Sequence, residues 1–187
     1  ESVFKYAYPL LKELGFTASV FVLTNYIGQN NTWDFTPGKI YSRHMNEDEL
    51  KTLHSDGWEV ASHGENHRAM TGMHPDSVNH ELTHSKDIIA SLTGEEVVTF
   101  CFPFGVYNAG VVTAAKVAGY KYLVGYTEPS RFGVISRSAV YRTIDGKRSV
   151  LRKIRRKPIG FFLERAKEAI IHSTAILPRI FQRLRNR

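Results

Sequence analysis

The chain is poor in cysteine and has no long apolar run. Its 187 residues include one cysteine, Cys101, which excludes a disulfide within the chain and any zinc site built from several cysteines. No apolar stretch reaches the length that a membrane-spanning helix needs. The sequence shows no initiator methionine and no recognisable signal peptide. Its hydrophobic content of 42% is that of a globular protein, and its length suits one domain with a buried core.

Negative charge is scarce at the C-terminal end. The formal net charge is +7, and the many lysines and arginines of residues 142–187 face only Asp145, Glu164 and Glu168. We expect a main domain over residues 1–150 and a basic amphipathic helical tail over residues 151–187, with its helix at residues 159–176. Residues 142–187 would suit an anionic membrane surface better than nucleic acid, although a solvated end has the same composition.

Helical and strand patterns alternate along the first 127 residues. The chain opens with an apolar helical pattern, in which Pro9 predicts a kink or a short first segment. Further helices are predicted to begin at Asn46, His74 and Asn108. The predicted strands are residues 18–23, 58–61, 97–102 and 120–124. This order predicts an α/β fold with a parallel sheet, either open or closed into a barrel.

Two histidines, His63 and His67, follow the second predicted strand. Gly64 lets the chain turn sharply, so both rings can converge at the C-terminal edge of the sheet, where α/β folds bind ligands. Neutral imidazoles are good ligands for zinc or a similar divalent ion. Glu65 lies between them, but we expect this loop to direct its carboxylate away from both rings. The pair also fits a structural or solvent-exposed role.

An aromatic loop, which contains Phe102, Pro103, Phe104 and Tyr107, follows the third predicted strand. On parallel strands this loop and the histidine pair lie at the same edge. Its rings suit the face of a sugar, and the backbone N–H of Phe104 could hold a developing oxyanion. The four residues are therefore candidates for substrate binding, although a strand-ending turn with core aromatics has the same sequence pattern.

Together the two loops resemble motifs of the polysaccharide deacetylases of the NodB-homology type, carbohydrate esterase family 4. Residues 59–67 are similar to the family's histidine-pair motif, and residues 100–108 are similar to its groove-wall motif. The resemblance covers residues 3–127 and implies a distorted (β/α) barrel with a metal held by His63, His67 and an aspartate. It also implies that metal-bound water removes N- or O-acetyl groups from a polysaccharide, with the Phe104 N–H stabilising the tetrahedral intermediate.

The chain departs from the family pattern at two places. The family's first motif, Thr-Phe-Asp-Asp-Gly, supplies the catalytic base and the third metal ligand, and it would lie just before Glu1. We therefore expect an incomplete, N-terminally truncated domain with impaired catalysis. Cys101 stands where the family has an arginine that orients the base, and its apolar strand predicts a buried small side chain.

Other polar residues are expected to have no role in the site. Trp33 and Asp34, in the long loop of residues 24–43, are interpreted as a packing pair rather than as a ligand. His80 and His84 fall on a polar helix face and are expected in solvent. His172, the one candidate for the family's late Leu-x-His motif, lies in a basic helical context that favours the surface.

Three functions fit these observations. The first, which the resemblance favours, is a metal-dependent hydrolase that deacetylates a polysaccharide, with zinc as the expected ion. The second is a non-catalytic carbohydrate-binding relative. The third is a membrane- or anion-binding module that acts through the basic tail. The family resemblance suggests a location in the bacterial cell envelope or at the cytoplasmic membrane.

Overall fold

The computed structural model describes residues 2–33, 41–126, 132–140 and 145–155, together with residues 164 and 166. The chain divides into two compact units, Glu1–Ile135 and Ser136–Arg187. The predicted division into residues 1–150 and 151–187 stays a prediction. The predicted helix over residues 159–176 lies almost wholly outside the described residues.

In the part of the chain that the structure describes, five strands form one sheet in the order in which they occur along the sequence. They are β1 (Ser19–Val22), β2 (Glu59–Ser62), β3 (Thr99–Cys101), β4 (Tyr122–Gly125) and β5 (Ile135–Ser136). From β1 to β4 neighbouring strands pair in parallel, with Val22 opposite Ser62 and Cys101 opposite Val124. The carboxyl ends of these four strands therefore meet at one edge, and the predicted α/β class is confirmed.

Helices α2 (Glu47–Ser55), α3 (Pro75–Thr93) and α4 (Ala109–Val117) connect neighbouring strands, and each begins directly after the cap residue that predicted it. Helix α1 (Tyr8–Glu13) precedes β1, and α5 (Lys147–Arg155), which the sequence did not predict, follows β5. A π-helical segment, Val3–Ala7, runs directly into α1, and Pro9 lies in the first turn of α1. Asn46 and Glu49 form a capping box at the start of α2. Among the described residues, no helix is both long enough and apolar enough to cross a membrane.

The core of the first unit fixes α3 beside the end of β2. Leu82 and Ile89 of α3 are fully buried, as is Phe100 of β3. Helix α3 contacts both β2 and α4. A buried hydroxyl contact of 2.8 Å joins Ser62 Oγ, at the end of β2, to Ser85 Oγ on α3. The loop that follows β2 is thus built directly over α3.

Candidate active site

His63 is the first residue after β2, and its ring is fixed by a main-chain group. Its backbone N–H donates to the Val22 carbonyl at 2.8 Å, which continues the β1–β2 pairing. Its Nδ1 lies 2.5 Å from the main-chain carbonyl oxygen of Cys101. A carbonyl oxygen can only accept, so Nδ1 carries the hydrogen and Nε2 of the neutral ring keeps its lone pair. This is the orientation that an imidazole needs to bind a metal through Nε2.

His67 reaches the same place through a strained backbone. Its φ of 52° lies in the left-handed region, which costs a non-glycine residue about 1–2 kcal/mol. Its buried ring lies between Trp33, at 3.9 Å between centroids, and Phe104, at 4.4 Å. The His63 and His67 rings are 4.9 Å apart. The structure thus brings the two predicted metal ligands together at the carboxyl edge of the sheet.

The loop between the two histidines is held by a buried carboxylate on α3. Glu81 Oε2 accepts from the backbone N–H groups of Glu65, at 2.7 Å, and Asn66, at 3.3 Å. Glu81 Oε1 accepts from the Asn66 side-chain amide at 3.0 Å. On the other side of the loop, the N–H of Thr24 donates to the Gly64 carbonyl at 3.1 Å. Glu81 carries no sequence signal beyond its place on α3, and sequence reasoning missed it.

The aromatic loop turns sharply after β3 and places one ring beside His67. Phe104 has φ 56° and ψ 7°, and its ring forms the contact with His67 described above. Phe102 and Pro103 are fully buried, whereas Phe104 and Tyr107 are partly exposed. The Tyr107 ring packs on Phe102 at 5.2 Å between centroids. Among these four candidates, Phe104 and Tyr107 are not fully buried, although the Tyr107 hydroxyl is buried, and all four roles in substrate binding stay predictions.

Trp33 and His44 form a hydrogen-bonded pair beside His67, which the sequence did not predict. The Trp33 indole N–H donates to His44 Nε2 at 3.1 Å, and the indole also contacts His67. Trp33 does pack, as predicted, but it packs on a candidate metal ligand. Asp34 lies outside the described residues. The one available signal for this contact was the concentration of aromatic residues in a long loop.

The first two thirds of the chain show to which family it belongs. Residues 1–123 match the model described as polysaccharide deacetylase. The chain belongs to the polysaccharide deacetylase family. The recognition based on residues 59–67 and 100–108 is therefore confirmed.

Similar proteins support the deacetylase fold. The curated protein named "Putative polysaccharide deacetylase YxkH", from Bacillus subtilis (strain 168), is 28% identical over 123 residues, or 66% of this chain and 39% of YxkH. A solved de-N-acetylase from Aggregatibacter actinomycetemcomitans has a TM-score of 0.65 at 15% identity, covering 81% of this chain and 70% of that one. The Streptococcus pyogenes deacetylase PplD, solved with acetate, has a TM-score of 0.57 at 22% identity, covering 66% and 50%. These likenesses confirm the predicted fold of the deacetylase (β/α)-barrel type, and the chain spans about two fifths of the length of YxkH.

Two imidazoles of this deacetylase family member are suited to one divalent ion. His63 has its Nε2 oriented, and the distance between the two rings lets both reach a common point. Within residues 2–33, 41–126, 132–140 and 145–155, neither histidine joins a group of three or more acidic, histidine or cysteine ligands. Cys101 is fully buried, as predicted, and it supports His63 through its main chain where the family pattern has an arginine.

We expect stability to fall as the pH drops through the range in which His44 titrates. Burial lowers the pKa of the His44 imidazole below its usual value. Protonation of Nε2 would also remove the acceptor of the Trp33 indole N–H. Because the pKa is lower in the folded state, stability is complete above the unfolded pKa of about 6.5 and is lost as pH falls below it.

Urea unfolding at about pH 7.5 and about pH 5.5 would measure this effect, with His44→Gln as the matched variant. Glutamine keeps an acceptor for the indole and does not titrate. The difference in unfolding free energy between the two pH values should be smaller in His44→Gln than in the wild type. An equal difference in both proteins would contradict the assignment to His44.

Proposed function

We propose that this chain takes part in the hydrolytic removal of acetyl groups from a polysaccharide, with a divalent metal ion held by His63 and His67. The proposal rests on the orientation of the His63 ring. Its Nδ1–H donates to the Cys101 carbonyl, and its centroid lies 4.9 Å from that of the His67 ring. Membership of the polysaccharide deacetylase family supports the same chemistry. Zinc is the expected ion because imidazole nitrogen suits it and because it has no redox chemistry of its own.

The residues around this pair have separable tasks. When bound, a divalent ion would polarise the acetyl carbonyl and lower the pKa of a water molecule, which could then act as the nucleophile at neutral pH. The backbone N–H of Phe104 would donate to the carbonyl oxygen as negative charge develops there. Trp33 and Phe104 flank the ring of His67 and would keep bulk water from that side. Phe104 and Tyr107, the two of the four candidates that are partly exposed, would contact the sugar, with Phe102 and Pro103 as their buried support.

Metal content and acetate release, measured together, test the proposal. His63→Gln and His67→Gln should each weaken zinc binding at the His63–His67 site by at least about a hundredfold, because a lost ligand costs more than a lost supporting hydrogen bond. His54→Gln on α2 is the matched control, since it removes an imidazole outside this pair. Acetate release from an N-acetylated glucosamine oligomer and from an O-acetylated xylan would show which acetyl linkage is cleaved.

The outcomes separate the candidate functions. Acetate release that disappears in the His63 and His67 variants but persists in His54→Gln supports a metal-dependent deacetylase. A rate of acetate release that is unchanged in both variants would overturn the roles of the two histidines. Glycan binding by a wild-type chain that holds no metal, unchanged when either histidine is replaced, would favour the non-catalytic carbohydrate-binding relative.

The basic residues 142–187 and the location of the protein stay predictions. Membrane association rests on the excess of lysine and arginine in the sequence and on no contact in the structure. Salt-dependent binding to vesicles that contain anionic lipid, lost when these residues are deleted, would be the expected result. Binding that is insensitive to salt would argue against this role.

A further inference from the structure

A second group of metal-binding side chains lies beside the histidine loop. Glu65 turns away from His63 and His67, as the sequence predicted, and its carboxylate faces α3. Its Oε1 is 2.6 Å from His84 Nδ1, and its Oε2 is 3.3 Å from His80 Nε2. The Glu65 side chain is 4% exposed, while the side chains of His80 and His84 are 66% and 50% exposed. A buried carboxylate thus meets two solvent-accessible imidazoles.

The two imidazoles are arranged as a helical pair. His80 and His84 lie four residues apart on α3, so they project from the same face. Their rings are 5.0 Å apart and nearly parallel, at 17°. The three possible ligand atoms, one from each of Glu65, His80 and His84, all lie within 4.8 Å of one another. Two histidines at this helical spacing are a known way to hold zinc.

We propose that Glu65, His80 and His84 form a second divalent-cation site, distinct from the one assigned to His63 and His67. Two imidazoles and one carboxylate suit zinc and its late first-row neighbours such as nickel and cobalt. Magnesium and calcium prefer an all-oxygen set, so they should bind far more weakly. This inference stands independently of the proposed deacetylase function, because it uses none of the residues assigned to that reaction.

A neighbouring cleft makes the site accessible, and the site lies between α3 and the loop that carries His63 and His67. A cleft of about 350 Å³ borders it and is lined in part by Glu65, Asn66 and His80, so an ion with its remaining waters can enter. The backbone N–H of Glu65 is already fixed to Glu81 of α3. An ion bound at this site would add a second link between α3 and the loop that carries His63 and His67. The site would therefore stabilise that loop without taking part in chemistry.

Zinc titration of a double variant, His63→Gln with His67→Gln, tests the proposal. This background lacks the first site, so any zinc that it binds must be held elsewhere. Calorimetry and elemental analysis should show one bound equivalent of zinc in this background. Adding His80→Gln with His84→Gln should weaken that binding at least about tenfold, whereas adding His54→Gln should leave it unchanged. Glutamine is a good helix former and both histidines are exposed, so α3 should fold normally, which circular dichroism would verify.

Thermal unfolding gives an independent readout. Zinc should raise the melting temperature of the background protein by a few degrees, because a ligand that binds only the folded state stabilises it. The shift should vanish with His80→Gln and His84→Gln, and it should shrink with Glu65→Gln. No bound zinc in the background, zinc binding that survives the loss of both histidines, or equal binding of magnesium would each overturn the proposal.

Discussion

Replacing Glu81 with alanine is expected to lower the free energy of unfolding by about 3 kcal/mol and to release the loop between His63 and His67. The Glu81 carboxylate accepts three hydrogen bonds from that loop, two of them from backbone N–H groups. The residue is 3% exposed, so water cannot simply take its place. Hydrogen bonds to a charged group are worth about 1.5–3 kcal/mol each, but the partly exposed Asn66 can recover some of this with solvent.

Urea unfolding and zinc titration would measure the two consequences of Glu81→Ala. Glu47→Ala, at a 65% exposed side chain in the first turn of α2, is the matched control and should cost far less. Glu81→Gln should be intermediate, because an amide oxygen can still serve the two backbone donors. Alanine is the best helix former, so a loss of stability cannot be attributed to α3 itself. Unchanged stability with unchanged zinc affinity would contradict the role given to Glu81.

Replacing Gly105 with alanine is expected to destabilise the chain by about 3 kcal/mol or more. Gly105 has φ +65°, and a Cβ atom there would lie 2.3 Å from Cδ2 of Tyr126. The left-handed backbone costs about 1–2 kcal/mol, and overpacking adds about 1–3 kcal/mol. The aromatic loop can pack this closely against Tyr126, which follows β4, because position 105 has no side chain.

Gly94→Ala separates the two components of that cost. Gly94 has a similar φ of +75° but nothing within 4 Å of an added Cβ, so its substitution should cost only the left-handed backbone conformation, about 1–2 kcal/mol. Combining Gly105→Ala with Tyr126→Ala should recover part of the overpacking cost, which a double-mutant cycle in urea would quantify. If Gly105→Ala costs no more than Gly94→Ala, the close contact with Tyr126 is not limiting.

Most of the fold could be predicted because its signals are local. Glycines, cap residues and apolar runs located the four parallel strands and the helices between them. The predicted strand at residues 58–61 is shifted by one residue from the observed β2, Glu59–Ser62. The cause is Trp58, whose N–H donates back to the Leu53 carbonyl of α2 at 3.0 Å and so belongs to the helix end. Such boundaries depend on which partner a single N–H finds.

Much of the site could not be predicted because its contacts join distant segments. The two histidines and the aromatic loop follow from strand ends alone. The packing of Trp33 on His67 and the hydrogen bond from the histidine loop to Glu81 join residues that are far apart in the sequence, so only the folded structure shows them. His80 and His84 are exposed, as predicted, but both also contact the buried Glu65 carboxylate, which the sequence did not predict. The hydrophobic periodicity of a helix predicts which side chains are exposed, but it does not predict that an exposed imidazole contacts a buried carboxylate.

The bond between His63 and position 101 uses a main-chain carbonyl, which every amino acid possesses. The aim of the His63 ring is therefore insensitive to the side chain at this position, and exchange of Cys101 for another small residue should affect packing alone. What the ring does depend on is strand register, with Cys101 opposite Val124 and Phe100 opposite Ser62. A slip of β3 by one residue would misdirect the imidazole even if every residue of the site were kept.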